Sequence, residues 1–216
     1  MKRITIIAGH YGSGKSEISV ELALTHKINY LVDLDIINVY FRSRELDTLL
    51  KENDIHLVES TIKGMRNSDL PFVSGEGAIP FTHPNVTAIY DLGGTENGVR
   101  VLHQFLHKIK DPDEIDFLVT VNTFRPETQT KEDILKTIAM YEAESQLKVT
   151  GLINNTNLMQ ETTEDDILNG EQVIASVARE LHVPIVYTAI DESIDTSRSF
   201  KGEKLILHRY IAKQRL

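Results

Sequence analysis

Eight residues near the start of the chain, Gly9-His10-Tyr11-Gly12-Ser13-Gly14-Lys15-Ser16, match the pattern G-x-x-x-x-G-K-[ST] at every constrained position. The residue types suit a phosphate chain. Glycines let successive backbone N–H groups turn inward around an anion with no Cβ in the way. A helix opening at Lys15 aims its positive dipole end at the same anion. Lys15 can reach the terminal phosphates, and the Ser16 hydroxyl can hold Mg²⁺.

Carboxylates recur where such a loop needs them. Asp33 and Asp35 end an apolar run at Tyr30-Leu31-Val32, and their spacing of two puts both on one side of an extended strand. One can hold a Mg²⁺-bound water while the other orients the attacking water; Asp35, at the strand exit, is assigned the water and Asp33 the metal. Asp91 follows Val86-Thr87-Ala88-Ile89-Tyr90, which makes it a third metal candidate, because Mg²⁺ keeps several waters and takes few protein ligands. Asp91-Leu92-Gly93-Gly94 reads D-x-x-G, and the Gly94 N–H can present itself to a γ-phosphate. Arg42 and Arg44 can neutralise transition-state charge, or simply begin a charged helix. The guanine-reading pattern N-K-x-D is absent. Asn154 and Asn155, with Asn157 beyond, can pair with an adenine edge through their amides. His103 and His107 stand i, i+4 without the acidic ligand of H-E-x-x-H, and read as surface residues of an amphipathic helix.

These residues need a scaffold that gathers strand ends. Apolar runs at 4–8, 30–32, 55–58, 86–90, 115–121, 149–153 and 185–187 alternate with helical patterns after residue 15 and at 44–51, 97–109, 126–141, 163–182 and 204–213. That alternation predicts an α/β fold, a mainly parallel sheet of about seven strands between two helical layers, in a single domain over 1–216. Between residues 62 and 85 no period is sustained, and three glycines and three prolines mark a long loop. Ligands in such sheets gather at the carboxyl ends of the strands, where the polar residues above all fall.

Composition narrows the function classes. With 216 residues, 41% of them apolar, the chain can bury a sizeable core. A net charge of −9 argues against a protein devoted to gripping nucleic acid. The absence of cysteine excludes disulfides, zinc–thiolate sites and a cysteine nucleophile. Met1-Lys2-Arg3 leads straight into the first apolar run, and no apolar stretch is long enough to span a bilayer, so a cytoplasmic protein without a membrane anchor is the expectation.

The ordered set of Gly9–Ser16, Val32-Asp33-Leu34-Asp35, Asp91-Leu92-Gly93-Gly94 and a late strand ending in asparagine resembles the SIMIBI-class P-loop proteins of the MinD/ParA and cobyrinic-acid-synthase type, a group that includes the nitrogenase iron protein. The resemblance runs nearly the whole chain. It implies the three-layer P-loop NTPase fold, ATP with Mg²⁺, and often a homodimer that sandwiches nucleotide. It further implies Lys15 and Ser16 on phosphate and metal, Asp35 on the water, Asp91 as the switch carboxylate, and Asn154 or Asn155 on adenine. The family's additional loop lysine, which reaches across the dimer, is replaced here by His10, with Tyr11 in place of a glycine. A neutral imidazole is a poor substitute for a fixed positive charge. Two uses of the nucleotide therefore stand side by side. One is a slow ATPase switch read by a partner protein. The other is an ATP-dependent small-molecule kinase or amide-forming synthetase with the 62–85 loop as its substrate lid. A module that holds nucleotide but barely turns it over is a third; a metallochaperone GTPase is disfavoured by the missing cysteine and guanine motif.

Overall fold

β1 (Ile4–Gly9) is buried at all six positions, as a strand covered on both faces must be. A computed structural model describes residues 1–35, 44–59 and 75–211 of the chain. From β1 the chain passes through α1 (Lys15–Thr25), β2 (Tyr30–Leu34), α2 (Arg44–Glu52), β3 (His56–Val58), α3 (Ile79–Thr82) and β4 (Ala88–Leu92). It then forms α4 (Glu96–Arg100), α5 (His103–Leu106), β5 (Ile115–Val121), α6 (Lys131–Ser145), β6 (Gly151–Asn154), α7 (Glu164–Leu181), β7 (Ile185–Asp191) and β8 (Glu203–Leu207). The eight strands form one sheet in the order β3-β2-β4-β1-β5-β6-β7-β8, and every pairing is parallel.

Side chains alternate across the sheet. Ile6, Ala8, Val32, Tyr90, Phe117, Val119 and Leu152 pack on one face against Ile134, Ile138 and Tyr141 of α6 and Ile174 and Val177 of α7. Ile7, Leu31, Ile89, Leu118 and Ile153 pack on the other against Ile18 and Leu22 of α1 and Leu46 and Leu50 of α2. These are the three layers expected from the alternating pattern. Since Leu31 and Ile89 face α1, residues two and four further along β2 and β4 do so too. Asp33, Asp35 and Asp91 thereby come to the α1 side of the sheet top.

After β1 the chain builds β2, β3 and β4 on one side, and β5 to β8 on the other. The crevice at this reversal is where parallel sheets bind ligands, and the loop from Gly9 to Ser16 leaves β1 at that point.

Several sequence expectations need correction. Among the described residues the strands number eight, in keeping with the about seven expected, but residues 203–207 pair with β7 as an edge strand and do not form the helix expected over 204–213. There Leu205 and Leu207 are buried with Ile206 exposed, a period of two that the apolar run concealed. The single helix expected over 97–109 is broken into α4 and α5. Pro126 opens only a 3₁₀ turn, and α6 starts five residues later behind a Thr130–Asp133 capping box. Part of the 62–85 segment is ordered, with a 3₁₀ turn at Gly75–Ala78 running into α3; residues 62–74 lie outside the described residues. So does Arg42, together with the side chain of Arg44.

Candidate functional site

The loop after β1 folds into a cradle because two of its glycines take left-handed backbone, φ +75° at Gly12 and +83° at Gly14. Gly14 is also the N-cap of α1, with no side chain over the helix end, so the first N–H groups of an eleven-residue helix face the loop's concavity. A Cβ on Gly14 would stand 2.2 Å from Asn155 Nδ2. That amide, at the end of β6, donates to Ser13 O at 2.7 Å and ties the loop to the neighbouring strand end. Ser13 N–H is spent on His10 O (3.0 Å) and its side chain is wholly buried, so this residue shapes the loop from within.

Beneath the cradle lies a buried charge cluster. Lys15 Nζ is 2.9 Å from Asp35 Oδ2, with both side chains about 95% buried. Ser16 Oγ donates to Asp91 Oδ2 at 2.6 Å. Asp33 pairs in register with Asp91 across β2 and β4, and its Oδ1 accepts Asp35 N–H at 2.9 Å. Three carboxylates thus face one ammonium. Burial by itself would lower the Lys15 pKa, but the charges of Asp91, Asp35 and Asp33 outweigh it and hold the group above its ordinary value. Burial pushes the fully enclosed Asp91 up to about 6. Burial, with the Asp91 charge behind it, lifts Asp33 well above the usual carboxylate range.

A surplus of negative charge in a buried pocket under the loop's N–H donors suits a divalent cation, which Asp91 and Ser16 would hold. Among the described residues Asp91 Oδ1 is buried without a hydrogen-bond partner. The nearby Ser19 hydroxyl does not relieve it, since that hydrogen goes to Lys15 O at 2.9 Å. A free lone pair beside the Ser16 hydroxyl is what a metal-bound water needs, so the residues present fit Mg²⁺.

The D-x-x-G segment touches the cradle directly. A Cβ on Gly94 would meet Tyr11 N at 2.8 Å and Gly9 O at 2.9 Å, and one on Gly93 would come within 3.5 Å of Asp35 Oδ1. A side chain at 94 would collide with the loop backbone, and one at 93 would collide with Gly98 Cα at 2.9 Å, while the acid lies at ordinary contact distance. Tyr141 of α6 reaches the Gly94 carbonyl from the other layer at 3.5 Å.

The other candidates differ in their surroundings, and of them Tyr11 lines the cavity beside the loop. Asn154 is turned inward, its Nδ2 donating to Ile167 O (3.1 Å) and its Oδ1 accepting Thr156 N–H (3.1 Å). It braces α7 instead of facing a ligand, because the strand's alternation points it away from the cavity that Asn155 lines. His10 Nδ1 sits 3.4 Å from a Glu127 oxygen, and Tyr11 is 62% exposed at the loop's outer edge. His103 lies within α5 and His107 caps it; His103 Nε2 makes a 2.6 Å bond to Glu144 O. Among the described residues no group of three or more acidic, histidine or cysteine side chains is arranged to hold a metal by itself.

Beside the cradle opens a cavity of about 300 Å³ over the ends of β6, β7 and β8, the size class of small-ligand pockets. Its lining joins Gly12, Lys15 and Ser16 to Asn155, Asn157, Asp191 and Arg209, and adds apolar Met159, Ile194 and Ile211. Sequence reasoning missed Asp191 and Arg209, which are ion-paired to each other. The Ser193 and Arg209 contacts hold Asp191 below the usual carboxylate range although burial works against them. The segment after β8 is pinned over α1 by two of that helix's own acids. Glu17 accepts Ile211 N–H at 3.1 Å, and buried Glu21 accepts His208 N–H at 2.9 Å. The one available signal was those two glutamates, i, i+4 on a helix that carries no other acid.

No protein-family model and no curated protein sequence matches the chain. Solved structures do. FtsY from Mycoplasma mycoides is similar over 95% of this chain and 61% of its own, at TM-score 0.53 and 15% identity. The cell division protein FtsY of Thermotoga maritima is similar over 88% of this chain and 62% of its own (0.53, 15%). Chloroplast FtsY of Physcomitrella patens is similar over 87% and 58% (0.55, 16%). The chain thus spans about three fifths of the length of these neighbours, and the likeness is one of fold: a parallel-sheet α/β P-loop architecture.

Proposed function

We propose that the chain binds Mg²⁺ with a nucleoside triphosphate, ATP in the first instance, hydrolyses it slowly, and serves as a switch read by a partner protein. The observation that carries this reading is the buried cluster under the cradle, where Lys15 meets Asp35 and Ser16 meets Asp91. Lys15 exchanges its carboxylate partner for phosphate oxygens, as a flexible point charge can. Ser16 and Asp91 would hold Mg²⁺, with Asp33 close by, and the ion when bound would supply neutralising charge to the terminal phosphates. Asp35, once released by Lys15, orients the attacking water, and placement is all that phosphoryl transfer asks of it. Because Gly94 lies against the loop and Gly93 lies near Asp35, the D-x-x-G segment is placed to respond to the occupant of the cradle. Tyr141 and α6 are positioned to carry that movement outward.

Adenine is favoured by the missing N-K-x-D pattern, while a solved FtsY from Elizabethkingia anophelis, of like fold (TM-score 0.51), is in complex with GDP. Calorimetric titration with Mg-ATP and Mg-GTP, followed by phosphate release with each, tests the reading. The result expected is binding of Mg-ATP with turnover well below that of a metabolic enzyme. Preference for Mg-GTP would overturn the base assignment, and no binding of either would overturn the whole. Strong stimulation of turnover by one small acid or nucleoside would move the assignment to phosphoryl or amide transfer.

A further inference from the structure

Lys15 is not the sole cation beside the cradle. We propose that Arg125, in the turn after β5, supplies a second positive charge to the polyphosphate from the same chain. This rests on the nucleotide-binding reading above.

Arg125 Nε donates to Gly12 O at 3.0 Å. Its Nε, Cζ and Nη2 stand 3.2, 3.3 and 3.6 Å from where a Cβ on Gly12 would be, so the guanidinium lies against the loop itself. It lines the same cavity as Gly12, Gly14, Lys15 and Ser16. Among the described residues it has no carboxylate partner, and its terminal nitrogens make no hydrogen bond. The nearest acid along the chain, Glu127, turns to His10 instead. A guanidinium with one N–H anchored and two free amino groups at an anion cradle has the fork geometry that phosphate oxygens take up.

The turn that carries it is built to hold it still. Asn122 is fully buried, and its side-chain oxygen, side-chain nitrogen and backbone carbonyl are all hydrogen-bonded. Its Oδ1 accepts Phe124 N–H (3.0 Å) and Asn157 N–H (3.3 Å), and its Nδ2 donates to Asn157 O (3.0 Å). Its carbonyl accepts Arg125 N–H (3.0 Å) and the Thr128 hydroxyl (2.7 Å). Preorganisation of this kind lowers the ordering cost of each phosphate contact. Neither His10 nor Tyr11, at the outer edge of the loop, offers a fixed charge, so Arg125 completes the site without a second subunit. Nucleotide affinity should then not depend on protein concentration.

Calorimetry on the parent chain, R125A, R125K and K15A with Mg-ATP, Mg-ADP and adenosine, and with the guanine series if that base is preferred, tests the role. The result expected is a loss of Mg-ATP affinity of about tenfold or more in R125A. R125K should recover part of it, adenosine binding should not change, and the parent should bind equally at low and high protein concentration. An R125A affinity for Mg-ATP equal to the parent's would overturn the proposal. Equal loss for ATP and adenosine would overturn it too, reducing Arg125 to a strut for the loop, and melting of ligand-free R125A identifies a variant that fails to fold. R125K, which retains the charge, then carries the comparison. Failure of the parent to bind any nucleotide defeats the underlying reading as well, whereas loss in K15A with none in R125A or R125K defeats this inference alone.

Discussion

Lys15 Nζ and Asp35 Oδ2 stand 2.9 Å apart in a pocket that leaves each side chain about 5% exposed. On the proposed function a bound phosphate would compete with Asp35 for the lysine, and its success would free the carboxylate beneath the cradle to orient water. Asp33 and Asp91 would remain as charge partners of Lys15 during that exchange.

Lys15→Ala should abolish stabilisation by Mg-ATP. At a ligand concentration a hundredfold above Kd the parent gains about 2.7 kcal/mol, read as a rise in melting temperature. The variant should show no rise, and the comparison holds even though its unpaired acids lower the starting stability.

Asp35→Asn preserves volume and removes the charge that holds Lys15. Mg-ATP affinity should be equal to the parent's or higher, while phosphate release at saturating nucleotide falls about 10²-fold or more. Unchanged turnover would remove Asp35 from the chemistry.

Gly14 and Asn155 should couple. Gly14→Ala demands left-handed backbone from an alanine, at about 1–2 kcal/mol, and drives its Cβ into the Asn155 amide. Asn155→Ala leaves Ser13 O without its 2.7 Å donor, at about 1–3 kcal/mol. In the double variant the collision is gone, so its urea stability should exceed the sum of the single effects. Strict additivity would show that the two do not touch.

The start of α7 carries a pH dependence. Thr163 accepts Asp166 N–H (3.2 Å) while Asp166 Oδ2 accepts Thr163 N–H (2.8 Å), and the Thr163 hydroxyl bond holds Asp166 below its ordinary value of 3.8. A depressed carboxylate contributes stability above its unfolded pKa and loses it as pH falls through the folded one. Thr163→Ala should cost about 1 kcal/mol at pH 7. In urea titrations at about pH 3 the difference from the parent should shrink. A constant difference would mean that the hydroxyl acts without the carboxylate.

Much of the candidate site's arrangement was legible because its parts are local. The phosphate loop is eight consecutive residues, and a strand ending in acid places that acid at the sheet top whatever surrounds it. Asp33, Asp35, Asp91 and Gly94 could therefore be named from spacing. The edge strand at 203–207 could not, since a short run of leucine and isoleucine has no period long enough to separate strand from helix until a neighbouring strand offers its hydrogen bonds. Asn154 and Asn155 looked equivalent in a row of polar residues, and only the pleat of β6 sends one inward to α7 and the other to the loop.

The sequence by itself determined the P-loop, the order of alternating strands and helices, and three acids at strand ends, because each depends on residues close together in the chain. Tertiary structure alone decided which groups meet. Residue 125 lies against 12, 155 beneath 13, and 211 against 17, because parallel strands far apart in sequence deliver their ends to one edge of the sheet. Charge balance in the cluster is likewise tertiary: three carboxylates surround one lysine only after β2 and β4 come into register and α1 closes over them.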